Sequence, residues 1–124
     1  MVRKKILLAD DEEDVRTIVK MSLEGEGYEV VTAFDGLEAL SLAETEAPDV
    51  ILLDVMMPVM SGIEVTRRLK ANTDTCQIPV IMLSAASQTD SIKQGIAAGA
   101  RDYVVKPFQP SKLHEIIQRV LTTA

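Results

Sequence analysis

The chain has 124 residues, 47% of them hydrophobic and 26% charged, which fits one ordinary domain with its own core and leaves no room for a second. Its formal net charge of −6, with no clustered basic face, opposes binding to a nucleic-acid backbone. No apolar run approaches the length of a membrane span, and the basic start Arg3-Lys4-Lys5 leads within a few residues into an acidic run, so no secretory signal is read there and the expected compartment is the cytoplasm.

The single cysteine, Cys76, excludes an internal disulfide, and with the single His114 it cannot assemble a zinc site of the usual ligand set. His114 falls in a helical pattern as a solvated side chain; a phosphorelay histidine is the alternative, with nothing nearby to support it.

Strand-like apolar runs alternate with helix-period segments five times, the pattern of a doubly wound α/β domain. The first strand is Lys5–Ala9, followed by the acidic run 10–14 and a helix carrying Val15, Ile18, Val19 and Leu23 until Gly25 and Gly27 stop it. A short strand over 29–32 comes next. Asp35, with Glu38 three residues on, then opens a helix to about Glu46 that is expected to bury Leu37, Leu40 and Ala43.

The run Val50-Ile51-Leu52-Leu53-Asp54 is bounded by Pro48 and Pro58 and suits a strand buried on both faces. Ser61-Gly62-Ile63-Glu64 is a capping box. Its helix carries Ile63, Val65 and Leu69, with Arg67, Arg68 and Lys70 on a solvated face. After a polar loop over 71–77, a fourth strand over 79–83 ends in Ser84. The helix Thr89–Ala98 contains Gly95, which costs it about 1 kcal/mol relative to alanine, and only Ile92 and Ile96 are expected to anchor it, so it should be the mobile one. A fifth strand over 102–105 ends in Lys106-Pro107. The last helix starts with Pro110 and aligns Leu113, Ile116, Ile117, Val120 and Leu121 on one stripe.

The strand ends therefore carry Asp10 and Asp11, Asp54, Ser84 and Lys106. In an open parallel sheet these ends share one edge, where ligands bind. Carboxylates crowded there repel one another unless a cation neutralises them, and a hard divalent ion such as magnesium suits such oxygen donors. Lys106 and Ser84 suit the oxygens of a phosphoryl group, and a carboxylate can be the nucleophile that accepts one. Each residue also has an ordinary reading: acidic runs favour helix starts, Asp54 could cap a loop, Lys106 could be solvated and Tyr103 half-buried in a strand. Their joint occurrence at four strand ends favours the site.

Asp10-Asp11, the segment from Asp54 through Met56, Met57 and Pro58 to Gly62, Ser84-Ala85 and Tyr103-Val104-Val105-Lys106-Pro107-Phe108 together resemble the receiver domain of two-component response regulators, over the whole chain. The resemblance implies a (βα)5 fold with a parallel sheet in the order 2-1-3-4-5, as in the CheY-like and flavodoxin-like folds. It implies that Asp54 is the phosphoacceptor, and that magnesium is held by Asp11, Asp54 and the backbone carbonyl of Met56, with Asp10 acting through water. Ser84 and Lys106 would grip the phosphoryl oxygens, Ser84 and Tyr103 would form the switch, and Lys106-Pro107 would be a cis peptide. The chain would be a signalling domain, not an enzyme with an outside substrate, that catalyses its own phosphorylation and slow dephosphorylation. Its partners would be a sensor histidine kinase or phosphotransfer domain and a downstream effector protein or domain, meeting the face made by the fourth helix, fifth strand and fifth helix. It would be a monomer or a weak homodimer through that face, and no output domain is expected within 1–124.

Many receivers carry threonine where this chain has Ser84. Met56 and Ala86, two residues beyond Asp54 and Ser84, are apolar where polar side chains can orient the hydrolytic water, which predicts a long-lived phosphoryl group. A flavodoxin-like electron carrier is disfavoured because the run 10–14 would repel a cofactor phosphate. An aspartyl phosphatase is disfavoured because Met56 stands where its second acid would be. The remaining alternative is a receiver-shaped interaction module that is never phosphorylated.

Overall fold

The computed structural model describes residues 3–85 and 89–122. In chain order these form β1 (Lys5–Ala9), α1 (Glu13–Gly25), β2 (Glu29–Ala33), α2 (Gly36–Glu46), β3 (Val50–Asp54), α3 (Gly62–Ala71), β4 (Val80–Ala85), α4 (Thr89–Ala98), β5 (Asp102–Lys106) and α5 (Pro110–Thr122). The strands make one sheet in the order β2-β1-β3-β4-β5, and every pairing is parallel. The (βα)5 architecture read from the sequence is thus the observed one.

The central strands are apolar throughout because both faces of the sheet are covered. One face packs Ile6, Leu8, Val50, Leu52, Ile81, Leu83 and Val104 against Val19 and Leu23 of α1 and against Leu113, Ile116, Ile117 and Val120 of α5. The other packs Leu7, Ala9, Ile51, Leu53, Val80 and Met82 against Ala39 and Ala43 of α2 and Val65 and Leu69 of α3. At about 25 cal/mol per Å² of apolar surface, the fully buried valine, leucine, isoleucine and methionine side chains among these each contribute roughly 1.5–3 kcal/mol.

Local signals set the helix ends. Asp35 accepts a hydrogen bond from the Glu38 amide at 2.8 Å, and Ser61 accepts one from the Glu64 amide at 3.2 Å. The Glu38 carboxylate returns to the amide of Phe34 at 3.0 Å, while Glu64 turns outward to Arg67 and Arg68. Gly27, at φ 97°, ends α1 by donating to Glu24 while Tyr28 donates to Leu23, a pairing that needs a residue at ease in the left-handed region.

Several expectations about side-chain faces are corrected. Leu37 is exposed; Ala43 is buried as expected and Leu40 packs partly buried beside it, but Ala39 takes the core position expected of Leu37. Ile18 of α1 is likewise exposed. Lys70 is not on a solvated face: its ammonium folds over the following loop and donates to the carbonyls of Ile78 at 2.7 Å and Cys76 at 3.1 Å, and burial lowers its pKa. In α4 it is Gly95 that is buried; Ile92 is half-buried and Ile96 exposed. A β-carbon on Gly95 would stand 3.2 Å from Met82 Cγ, so the residue that weakens the helix also lets it pack close to β4. β4 and β5 run further than expected, so that Ser84 lies inside a strand and Lys106 ends one.

Candidate functional site

Side chains alternate across a strand with a period of two, and this decides which strand-end residues meet. Asp10, Asp54 and Lys106 continue the rows of Leu8, Leu52 and Val104, on the face that α1 and α5 cover. Ser84 continues the row of Val80 and Met82, on the opposite face. The first three therefore converge.

Lys106 Nζ donates to Asp10 Oδ2 at 2.8 Å and to Asp54 Oδ2 at 3.1 Å, and it lies 3.7 Å from Glu12 Oε1. Asp10 is fully buried, and its other oxygen accepts from the Glu12 amide at 2.9 Å. Asp54 is also buried, and its Oδ1 accepts from the Met56 amide at 3.3 Å. Burial first, then the charge of Asp10, push the Asp54 carboxyl up to about 6, against the opposing pull of Lys106. Burial alone would lower the pKa of Lys106, but its hydrogen bond to Asp10 and the charge of Asp54 outweigh that and raise it.

The loop after Asp54 turns tightly before α3 begins. Met60 donates to Pro58 at 2.8 Å across Val59, whose φ of 73° makes this a γ-turn, a strained conformation for a β-branched residue. Val59 and Met56 both stay exposed. Gly62 then donates to Val55 at 2.8 Å, and a β-carbon there would collide with the Asp54 carbonyl oxygen, so only glycine lets α3 begin directly against the strand end.

One carboxylate oxygen from each of Asp10, Asp11, Glu12 and Asp54 lies within 4.8 Å of the others, at an open cleft of about 270 Å³ lined by Asp11, Glu12, Asp54, Met56, Ala85 and Lys106. Among the described residues, four carboxylates stand against the Lys106 ammonium that binds two of them and the Arg16 guanidinium on the Asp10 carbonyl, an imbalance that a divalent cation would offset. The donors are all hard oxygens on a wet, shallow rim, which fits magnesium. Glu12 was passed over in the sequence as part of a helix start; its place two residues after Asp10, whose carboxylate takes its amide in a tight local turn, was the available signal.

The other expected site residues sit apart. Ser84 is fully buried, with its hydroxyl donating to the Ala85 carbonyl at 3.3 Å. Tyr103 lies on the edge strand, 41% exposed, beside a hollow of about 560 Å³ shared with Lys112, Ile116 and Arg119. The Lys106-Pro107 peptide is cis. Ala86 lies outside the described residues.

Comparison with known proteins gives this geometry its context. Residues 6–118 match the family model of the response regulator receiver domain. The chain is 43% identical over 120 residues, 97% of its length, to the alkaline phosphatase synthesis transcriptional regulatory protein PhoP of Bacillus subtilis. It covers 49% of that relative and 53% of the phosphate regulon transcriptional regulatory protein PhoB of Pseudomonas aeruginosa, so it spans about half the length of the curated relatives it matches. Among solved structures it is similar to the chemotaxis response regulator CheY4 of Vibrio cholerae, with a TM-score of 0.90 and 39% identity, covering 96% of this chain and 99% of that one. It is also similar to the receiver domain of the sensor histidine kinase PA1611 of Pseudomonas aeruginosa, which holds a magnesium ion in its active-site cleft, with a TM-score of 0.91 and 32% identity, covering 98% of this chain and 100% of that one. By the extent of the family match and the identity of these relatives, the chain belongs to the response regulator receiver domains of two-component signalling.

Proposed function

We propose that this domain is a phosphorylation-driven switch in which Asp54 accepts a phosphoryl group from the phosphohistidine of a histidine kinase or phosphotransfer domain. The single observation that carries this reading is the convergence of Asp10, Asp54 and Lys106 at the open end of one sheet face, with Asp11 and Glu12 on the rim. Asp11 and Asp54 would hold magnesium directly, with the Met56 carbonyl, and Asp10 would act through water. When bound, the ion neutralises the carboxylates and the phosphoryl oxygens that must approach one another.

A carboxylate oxygen of Asp54 attacks phosphorus, the P–N bond to the donor imidazole breaks, and its electron pair leaves with the ring nitrogen. Lys106 is already hydrogen-bonded to Asp54, so its ammonium needs only a small shift to meet a phosphoryl oxygen. Asp10, buried and doubly hydrogen-bonded, keeps the lysine in place. The acyl phosphate adds charge and acceptor oxygens at the strand end. The Ser84 hydroxyl would leave the Ala85 carbonyl to donate to one of them, and Tyr103 would rotate inward from the edge of β5. The altered surface of α4, β5 and α5 would then meet an effector, or a second copy of the chain in a weak dimer.

The test is incubation with acetyl phosphate and magnesium followed by intact mass. One phosphoryl addition is expected in the wild type and none in Asp54→Asn. Full labelling of the variant, or equal labelling of the wild type in the presence of chelator, would overturn the reading.

A further inference from the structure

The turn that carries Asp10, Asp11 and Glu12 is closed by a side chain outside the acidic cluster. Arg16, in the first turn of α1, donates from Nη1 to the carbonyl oxygen of Asp10 at 2.7 Å. Its own amide donates to the Glu12 carbonyl at 3.1 Å, and the Glu12 amide donates to Asp10 Oδ1 at 2.9 Å, which completes a ring of hydrogen bonds through residues 10, 12 and 16. Asp10 is then held at every polar atom: its amide donates to Ala33 at 3.1 Å, its carbonyl accepts from Arg16, and its two carboxylate oxygens accept from Glu12 and Lys106. No side chain caps the start of α1, because Glu12 at that position makes no capping bond. The arginine does not replace a cap, since a guanidinium cannot accept from the free amides of the helix; it ties the preceding turn to α1 by donating to the Asp10 carbonyl.

We infer that Arg16 is a positioning residue for the cation site. It rests on the phosphoacceptor reading above. The Asp10 carbonyl belongs to the peptide that leads into Asp11, so fixing that carbonyl fixes the plane from which the Asp11 side chain departs. Without the clasp, mutual repulsion among four carboxylates would swing Asp11 and Glu12, both exposed, away from the buried Asp10 and Asp54. A guanidinium-to-carbonyl bond is charge-assisted and about twice as strong as a neutral one, which suits it to resisting that relaxation.

The sign of the effect separates positioning from simple charge. Arg16 is a cation close to a cation site, so as a bare charge it would repel magnesium, and its removal would tighten binding. As a clasp it organises the ligands, and its removal weakens binding.

The experiment is a magnesium titration followed by amide NMR on the wild type, Arg16→Ala and Arg16→Lys, together with hydrogen exchange of the Glu12 amide in metal-free protein. Arg16→Ala is expected to raise the magnesium dissociation constant about tenfold, the usual scale for losing a group that orients metal ligands, and to speed Glu12 exchange before any metal is added. Arg16→Lys keeps one donor and the charge, and is expected to recover binding to within about threefold of wild type. It also serves if the alanine variant does not fold. Unchanged or tighter binding in Arg16→Ala, or a lysine variant no better than alanine, would overturn the inference. A wild type that binds no magnesium would instead overturn the phosphoacceptor reading on which it rests.

Discussion

Lys106 donates to Asp54 across 3.1 Å, from the fifth strand to the third, over the end of the fourth. The same ammonium is closer still to the fully buried Asp10, at 2.8 Å. A lysine so placed stabilises the metal-free protein and competes with a metal for the same carboxylates. Replacing it with methionine should therefore have two effects of opposite sign. The metal-free protein should lose about 3 kcal/mol at neutral pH, because Asp10 is left buried and unpaired, while magnesium should bind more tightly. Chemical denaturation and calorimetric titration measure the two; weaker magnesium binding would mean that the lysine organises the carboxylates instead of competing for them.

The raised pKa of Asp54, about 6, makes a pH-dependent prediction. A carboxyl whose native pKa lies above its unfolded value binds its proton first in the folded state. Its stabilising contribution is thus complete below the unfolded value near 4 and is lost as pH rises through 6. Asp54→Asn should remove this dependence and be more stable than wild type at pH 7.5, by about 1 kcal/mol after allowance for solvent at the rim of the cleft. At pH 4 the advantage should vanish. Thermal melts of both proteins at the two pH values decide the matter, and an advantage that does not change with pH would refute it.

Met56 lines the cleft beside Asp54 with an exposed apolar side chain, which leaves that flank without a group to orient water. The acyl phosphate should therefore be long-lived, and Met56→Asn should change its decay by about tenfold, less than the roughly 10²–10⁴-fold of a positioned acid or base because an amide orients water without taking its proton. Loss of the phosphoryl group followed by intact mass gives the rate. Identical decay in the two proteins would show that hydrolysis is controlled elsewhere.

Ser84 and Tyr103 sit on neighbouring strands, with Ser84 in register with Val105 and Tyr103 with Met82. If the serine hydroxyl carries the signal, Ser84→Ala should still be phosphorylated on Asp54 while losing about 1–3 kcal/mol of coupling between the site and the α4, β5 and α5 surface. Amide NMR with a non-hydrolysable phosphoryl mimic and magnesium is the measurement. Matching shift changes at residues 89–121 in wild type and variant would remove the hydroxyl from the mechanism.

The fold was legible because its signals are local. Strand-length apolar runs, Asp35 and Ser61 as caps, and Pro110 at a helix start all depend on a few adjacent residues. The gathering of Asp10, Asp54 and Lys106 was legible from strand ends in a parallel sheet. What escaped depends on partners distant in the chain or across a turn. The helix period cannot tell whether Leu37 or Ala39 meets the sheet, because that is set by how closely α2 lies on Ala9 and Ala33. Lys70 looks like its solvated neighbours Arg67 and Arg68 until the loop after it folds back beneath its ammonium. Arg16 carries no motif, and its role appears only when the turn before it closes.

The thin attachment of α4 has a consequence for how free energy is distributed through the domain. Its neighbours each bury several side chains in the core, whereas the one fully buried residue of α4 is Gly95, which has no side chain, and Ile92 and Ala98 are only half-buried. Opening this helix therefore exposes little apolar surface, and its amides should exchange with solvent through a local excursion far less costly than global unfolding. Such a domain holds its acidic cleft on the ends of well-buried strands, while α4, which contributes no residue to the cleft lining, is the element expected to open at low cost. A partner that selects one arrangement of that helix would then need only a small differential affinity to shift the population.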